Sequence, residues 1–381
     1  MVDEPVVLEG DLNISTRYMD PATVRAKLYN LIYNGGDKIR GRILKRFIDS
    51  LVASYYEYMP SIDASELSRA GVYSYLIPVE SLESRMPPEL AGVNGPGDIY
   101  SVSEYLKGTT VSSYDSSWHT GGAHFIMSFV VLNTGYYFYT FGGGGGSGAV
   151  PRMVFGVPDD WDNDIEIKLH ESRVAEALSG ALDGDHRFIF LDESLNMIYT
   201  VKWSRNKRER YIEIVRSILS KVISDGAIPI GVFYTKARDV AKTIESAGHE
   251  VDVFIPDKAL MDRVLSRGER SPLFRVHNTI LDDYGLEILC FYLKVGDRNI
   301  LRVEFPSEAL RHASIDDIHR AVYVDAVRGG GYPYTLMRAH EMAVLDSEDR
   351  EAIENALAEV LDIPMDLIYS MKQISKWRSI A

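Results

Sequence analysis

Cysteine is nearly absent from this chain of 381 residues, in which Cys290 is the single example. One cysteine excludes an internal disulfide framework and a cysteine-rich zinc site. Long hydrophobic runs are missing too, because the apolar stretch 125–132 is far shorter than the roughly 20 residues of a membrane helix. We therefore expect a protein without membrane contact in a reducing cytoplasm. Asp3 and Glu4 stand where a secretory signal would carry basic residues.

Several common catalytic motifs are also absent. The glycine-rich run 142–146 is not followed by the lysine of a phosphate-binding P-loop, so it predicts a flexible loop, and ATP hydrolysis by this chain is not expected. The nine histidines form no H-E-x-x-H pattern, which argues against a zinc protease. No G-x-S-x-G sequence occurs, so a serine hydrolase of that type is not indicated either.

A net positive charge is absent, since 55 acidic residues outnumber 41 basic ones and the formal net charge is −14. Non-specific binding to nucleic acid usually relies on a basic surface. Basic residues nevertheless crowd two segments, 38–46 and 202–210. These segments are either solvated helix faces or the basic lining of an otherwise acidic particle, and the sequence leaves both interpretations open.

Hydrophobic periodicity divides the chain into two regions. Residues 21–59 have helical spacing, and loop signals follow, so residues 1–105 are predicted to form a mainly helical N-terminal extension for dimer or partner contacts. Residues 106–381 are predicted to form an α/β domain, in which three β-rich segments precede a helix and then alternating strands and helices.

The first half of this α/β domain carries the sheet predictions that matter for function. Strand-like runs are centred on 109–114, 125–132 and 136–141, and Asn133-Thr134-Gly135 predicts a hairpin turn between the last two. A helix is predicted at 164–182, followed by a short, fully apolar strand at 188–191 that suits a buried parallel position.

Carboxylates recur beside these elements. Asp115 follows the first strand of the α/β domain, Asp192 follows the fourth, and Glu171 lies on the helix between them. Neighbouring carboxylates repel unless a cation or a proton neutralises them, and hard oxygen ligands suit Mg²⁺ or Mn²⁺. Two such ions, about 4 Å apart, can support hydrolysis of a phosphodiester. Each aspartate could instead cap a turn, and Glu176 competes with Glu171 for the helix position.

The quoted motifs resemble those of the NurA nucleases of archaea and some bacteria, over roughly residues 108 to 352. The resemblance is carried by Tyr114-Asp115-Ser116-Ser117, by Leu191-Asp192-Glu193-Ser194-Leu195, by Phe291-Tyr292-Leu293 with Arg302-Val303-Glu304-Phe305-Pro306, and by the most specific segment, Gly331-Tyr332-Pro333-Tyr334 running to His340.

The resemblance implies an α/β fold with an RNase H-like mixed β-sheet core flanked by helices. It implies a manganese- or magnesium-dependent 5′-to-3′ exonuclease on single- and double-stranded DNA, with single-strand endonuclease activity. It also implies a homodimer that works with a hexameric HerA-type ATPase in DNA end resection and repair. By the same resemblance Asp115, Glu171, Asp192 and His340 would hold metal, and Tyr332 would contact a phosphate; His340 could alternatively orient the attacking water.

The sequence departs from the family in both aspartate motifs, where Asp-Gly-Ser is usual but Asp-Ser-Ser and Asp-Glu-Ser occur here. One alternative is therefore a catalytically decayed module of the same fold that binds DNA or a partner. A metal-dependent phosphatase is a third possibility, which the segment from Tyr332 to His340 disfavours. Lys236 follows a predicted strand and is expected to be a surface lysine.

Overall fold

The computed structural model describes residues 48–67, 74–120, 129–155, 161–251 and 254–360. Most of the predicted helical region 21–59 and the basic segment 38–46 lie outside the described residues. Within the described ranges, no helix combines the length and apolar character needed to cross a membrane.

Nine strands form one mixed sheet in the described part of the chain. The strands are β1 (Tyr75–Pro78), β2 (Thr109–Thr120), β3 (Phe129–Thr140), β4 (Gly145–Phe155), β5 (His186–Leu191), β6 (Ala227–Phe233), β7 (Phe274–His277), β8 (Ile288–Gly296) and β9 (Asn299–Pro306). Their order across the sheet is β1-β7-β8-β9-β6-β5-β2-β3-β4.

The α-helices flank this sheet. They are α1 (Asp49–Tyr58), α2 (Asn163–Ala181), α3 (Arg205–Ser224), α4 (Asp239–Ser246), α5 (Asp257–Val264), α6 (Thr279–Tyr284), α7 (Ile315–Arg328), α8 (Tyr334–Ala343) and α9 (Ser347–Val360). Local sequence explains where the important ones begin. Asp162 caps α2 by accepting from two backbone amides, and Ser314 with Asp317 forms a capping box on α7.

The central five strands define the fold class. β2, β3 and β4 are successive antiparallel strands, β5 pairs parallel with β2, and β6 pairs parallel with β5. Three antiparallel strands followed by two that run parallel to the first are the arrangement of an RNase H-like core. The predicted mixed sheet flanked by helices is therefore confirmed.

The sheet separates two hydrophobic cores. Ile189 and Leu191 of β5 face the core that contains α1 to α6. Phe188 and Phe190 face the opposite core, which contains α7 and the start of α8. This alternation follows from the two-residue period of a strand and explains why β5 is apolar throughout.

The predicted hairpin turn at 133–135 is wrong. Asn133 and Gly135 lie within the continuous strand β3, which pairs with β2 along its length. The reversal comes later, where Gly142 has a positive φ of 77°. The predicted glycine loop 142–146 is correspondingly too long, since β4 starts at Gly145. Asp115 likewise lies inside β2 rather than after its end.

The N-terminal region contributes to the same sheet. β1, which the sequence did not predict, pairs antiparallel with β7 at the sheet edge. Leu51 and Tyr55 of α1 are buried in the core beneath the same sheet. The division of the chain at residue 105 stays a prediction.

Candidate active site

Asp115 and Asp192 come together because their strands are neighbours. Ser113 of β2 is aligned with Phe190 of β5 in the parallel register, two residues before each aspartate. Because strand side chains alternate, both aspartates are directed to the α8 face of the sheet. They line one cleft of about 320 Å³, together with Tyr332, Leu336, Met337, His340 and Glu341.

Helix α8 carries His340 to this cleft. The Nδ1 atom of His340 lies 2.6 Å from Oδ2 of Asp115, while most of the imidazole remains open to solvent. The helix approaches closely because Gly135, the partner of Asp115 across β2 and β3, has no side chain. A Cβ at position 135 would lie 2.4 Å from the backbone nitrogen of Ala343 and 2.5 Å from the carbonyl oxygen of Ala339.

Hydrogen bonds hold the first turn of α8 against β2. Oδ2 of Asp325, on α7, accepts from the Thr335 amide at 3.0 Å and from its hydroxyl at 2.7 Å. The Ser113 hydroxyl donates to the same Thr335 oxygen at 2.8 Å. Burial raises the pKa of Asp325 to about 6, and its hydrogen bonds to Thr335 oppose that rise.

The last turn of α8 is also fixed. Nδ2 of Asn133 donates to the Ala343 carbonyl at 2.9 Å, and the Ser117 hydroxyl donates to the same oxygen. Asn133 therefore satisfies a helix C-terminus rather than forming the predicted turn. With both ends of α8 held, the position of His340 above Asp115 is defined by packing and hydrogen bonds.

Tyr332 lies next to Asp192 in the cleft. Its hydroxyl lies beside the Asp192 carboxylate and also 3.3 Å from the Val232 carbonyl, to which it donates; burial together with the interaction with Asp192 raises the pKa of Tyr332, so the phenol stays protonated. Its ring stacks on the half-exposed ring of Tyr234, with centroids 5.2 Å apart. The walls of the cleft reduce hydration of Asp192, and Asp115 repels it; the pKa of Asp192 is raised although the interaction with Tyr332 opposes this.

Glu171 approaches the aspartates from α2, but it is not free. Nζ of the buried Lys168 lies 2.6 Å from Oε2 of Glu171 and 2.8 Å from both carboxylate oxygens of Glu193. A smaller cavity of about 60 Å³ is lined by both aspartates and by these three side chains. Burial alone would lower the pKa of Lys168, but Glu171 and Glu193 raise it well above its ordinary value.

The competing glutamate of α2 lies elsewhere. Glu176 is exposed and lines a separate cleft with Arg210 and Glu213, on the outer side of α2 and α3. The geometry therefore favours Glu171 as the helix carboxylate. Lys236 is exposed and does not line the cleft of the two aspartates.

Sequence reasoning missed the residue that shapes the loop after Asp192. Glu304 is fully buried on β9, and its Oε2 accepts from the Leu195 amide at 2.8 Å and from the Ser194 hydroxyl at 2.9 Å. The Nε atom of Arg302 lies 2.7 Å from the other carboxylate oxygen of Glu304. Both residues belong to a quoted motif, but the sequence offered no signal that they support the Asp192 loop from a distant strand.

The donor set suits a hard divalent cation. Asp115 and Asp192 present carboxylate oxygens in one cleft, and they repel each other unless a cation is present. Within the described ranges, however, no three His, Cys, Asp or Glu side chains converge into a complete metal centre. The engagement of Glu171 by Lys168 is one physical reason.

Taken together, the fold and the cleft define an RNase H-like protein with paired carboxylates at the junction of β2 and β5. The family model described as the NurA domain matches residues 135–345, which is more than half of the chain, and the chain belongs to this family. The matched range includes Glu171, Asp192, Tyr332 and His340, and it starts after Asp115.

A solved structure shows the same fold at low sequence identity. The NurA nuclease from Sulfolobus solfataricus has 14% identity, with a TM-score of 0.53 over 90% of this chain and 98% of that chain. A structure of NurA with manganese has 12% identity and a TM-score of 0.40, and the match covers 84% of this chain and 98% of that one. A search of curated proteins gives no match to this chain.

Proposed function

We propose that this chain is a divalent-metal-dependent deoxyribonuclease. The observation that carries the proposal is the convergence of Asp115 and Asp192 in one cleft, with His340 hydrogen-bonded to Asp115. Membership of a family whose solved relative is called a nuclease supports the same conclusion. The proposed substrate is DNA, and the proposed reaction is hydrolysis of a phosphodiester bond.

The proposed metal is Mn²⁺, with Mg²⁺ as the second possibility. Asp115 and Asp192 would hold it. The family resemblance implies His340 and Glu171 as further ligands, but Glu171 is paired with Lys168 here. A bound divalent ion would neutralise the carboxylates and stabilise negative charge on the phosphate.

The remaining residues have roles that follow from their contacts. His340 has its Nδ1 committed to Asp115, which leaves Nε2 free to hold a proton or to orient a water. Tyr332 stays a neutral phenol, and its stacked partner Tyr234 limits ring movement. Tyr332 therefore offers a single proton beside Asp192, which it can redirect from the Val232 carbonyl to a phosphate oxygen.

The finer function rests on family resemblance. We propose a 5′-to-3′ exonuclease on single- and double-stranded DNA with single-strand endonuclease activity, acting in end resection and repair. The proposed assembly is a cytoplasmic homodimer with a HerA-type hexameric ATPase, and residues 1–105 would contribute dimer or partner contacts.

A catalytically decayed site is less well supported. Glu193 replaces the usual glycine of the second aspartate motif, but its charge has a partner. Both oxygens of the Glu193 carboxylate contact the Lys168 ammonium, so Glu193 is not an unpaired charge beside Asp192. A degenerating site would not be expected to keep such a pair together with Asp115, Asp192, Tyr332 and His340.

The test is cleavage of end-labelled single- and double-stranded DNA in Mn²⁺, Mg²⁺ or chelator. Asp115→Asn and Asp192→Asn should each reduce cleavage by more than about 100-fold, because even the outer partners of metal ligands are worth 10–100-fold. Glu176→Gln is the matched control on the outer side of α2 and should cleave at the parental rate. Parental cleavage by either aspartate variant, or undiminished cleavage in chelator, would remove the proposal.

A further inference from the structure

The lysine beside the carboxylates is unusual in its burial and in its partners. Lys168 is 5% exposed, and its ammonium contacts the carboxylates of Glu171 and Glu193 at 2.6 and 2.8 Å. A buried ammonium is stable only when it is paired, and here two carboxylates pair with it. Lys168 is therefore a permanent positive charge at the floor of the site.

This ammonium borders a small cavity that the two aspartates of the cleft also line. The cavity of about 60 Å³ is lined by Lys168 together with Asp115, Glu171, Asp192 and Glu193. A carboxylate site of this kind can hold two divalent ions that share its carboxylates. An ion bound at Glu171 would lie within a few ångströms of the Lys168 charge, and the two cations would repel strongly in this buried position.

The four carboxylates therefore form two pairs with different neighbours. Asp115 and Asp192 face the larger cleft, where the other donors are His340 and Tyr332. Glu171 and Glu193 face Lys168 from the other side of the sheet, where Leu191 and Tyr114 belong to the core beneath α2. The divalent cation position lies with the first pair, and the resident ammonium lies with the second.

We propose that Lys168 substitutes for one of two metal ions, so that the site takes a single divalent ion between Asp115 and Asp192. This inference rests on the proposed function, which requires a metal. It also accounts for the Asp-Glu-Ser sequence, because Glu193 supplies the second carboxylate that keeps Lys168 charged while buried.

The test is the stoichiometry of Mn²⁺ measured by isothermal titration calorimetry on the full chain. The parental protein should bind one ion per chain. Lys168→Met frees Glu171 and removes the repulsion, so it should bind a second ion and show a larger rise in melting temperature with Mn²⁺. Glu176→Gln, on the same helix, should keep one ion per chain.

A second variant covers the case in which Lys168→Met does not fold. The double variant Lys168→Met/Glu193→Gln removes one charge of each sign, leaves Glu171 free and should also bind two ions. Two Mn²⁺ ions per parental chain, or one ion in both Lys168 variants, would overturn the inference.

Cleavage assays distinguish this failure from failure of the proposed function. A parental chain that cleaves DNA with two bound ions contradicts only the role of Lys168. A parental chain that binds one ion and leaves DNA intact contradicts only the nuclease proposal. A chain that binds no Mn²⁺ would remove both.

Discussion

Two clusters of carboxylates in this protein differ in what surrounds them. In the buried cluster, Asp257 accepts from the Asp239 amide at 2.9 Å, the Val240 amide at 3.1 Å and the Tyr292 hydroxyl at 2.5 Å. Arg302 pairs with Asp239 and Glu304 in the same cluster. In the cleft, by contrast, Asp115 receives the Ser116 amide at 2.8 Å and contacts His340, and its remaining lone pairs face open space.

The difference separates carboxylates with a full set of partners from carboxylates that can accept a ligand. The buried cluster supplies fixed donors from its own backbone and side chains, so it has no need of a ligand and holds β9, α4 and α5 together. The carboxylates of the cleft have few fixed donors, and a cation from solution can complete them. The supply of hydrogen-bond donors, more than the number of acids, distinguishes the two clusters and supports the cleft as the proposed catalytic site.

Breaking the buried cluster should have the largest effect on stability. Arg302→Met leaves Asp239 and Glu304 buried without their cation, and the expected loss is about 3–5 kcal/mol in the free energy of unfolding. Chemical denaturation followed by circular dichroism measures it. Arg216→Met, at an exposed arginine, is the control and should change stability by less than about 0.5 kcal/mol. Equal stability of the two variants would contradict a structural role for the Arg302 cluster.

Displacing α8 should have an intermediate effect on stability and a large one on cleavage. Gly135→Ala places a Cβ against the backbone of Ala339 and Ala343, and we expect a loss of about 1–3 kcal/mol. Cleavage should fall with it, because α8 carries His340. The control is Gly180→Ala, where nothing lies within 4 Å of the added Cβ. Parental activity in Gly135→Ala would show that the close approach of α8 is unnecessary.

Removing a charge from the cleft should have the smallest effect on stability. The raised pKa of Asp192 means that ionisation of this carboxyl disfavours the folded state. The stability that the protonated carboxyl contributes is fully present below the unfolded pKa of about 3.9, and it is lost as the pH rises through the folded pKa. Metal-free Asp192→Asn should therefore melt at or above the parental temperature at pH 7, and any advantage should vanish near pH 4. A clearly lower melting temperature at pH 7 would place Asp192 with the structural carboxylates instead.

Much of the site was predictable from local pattern. Asp192 follows apolar strand residues and Asp115 lies in a β-rich segment, and parallel neighbouring strands bring such positions to one place. Tyr332 and His340 were identified by a specific motif, although nothing local indicated what they contact. The sequence could not choose between Glu171 and Glu176 as the helix carboxylate, because both lie on α2. Only the structure shows that Glu171 faces the aspartates and that Glu176 faces the outer side of the helix.

Other features were predicted wrongly because the residues that explain them are distant in the chain. Asn133-Thr134-Gly135 has the composition of a turn, yet Asn133 binds the end of α8 and Gly135 makes room for its backbone. Tertiary contacts outweigh the local preference of such residues.

By itself, the amino-acid sequence determined the alternation of strands and helices in the α/β domain and the kinds of side chain available for chemistry, because periodicity is a local property; the RNase H-like class was implied by the family resemblance of its motifs. Only the tertiary structure decided that Lys168 forms an ion pair with Glu171, that Glu304 accepts hydrogen bonds from the loop after Asp192, and that Gly135 leaves room for the backbone of α8. These contacts join residues that are distant in the chain, and their energies depend on burial and on the partners that folding brings within hydrogen-bond distance.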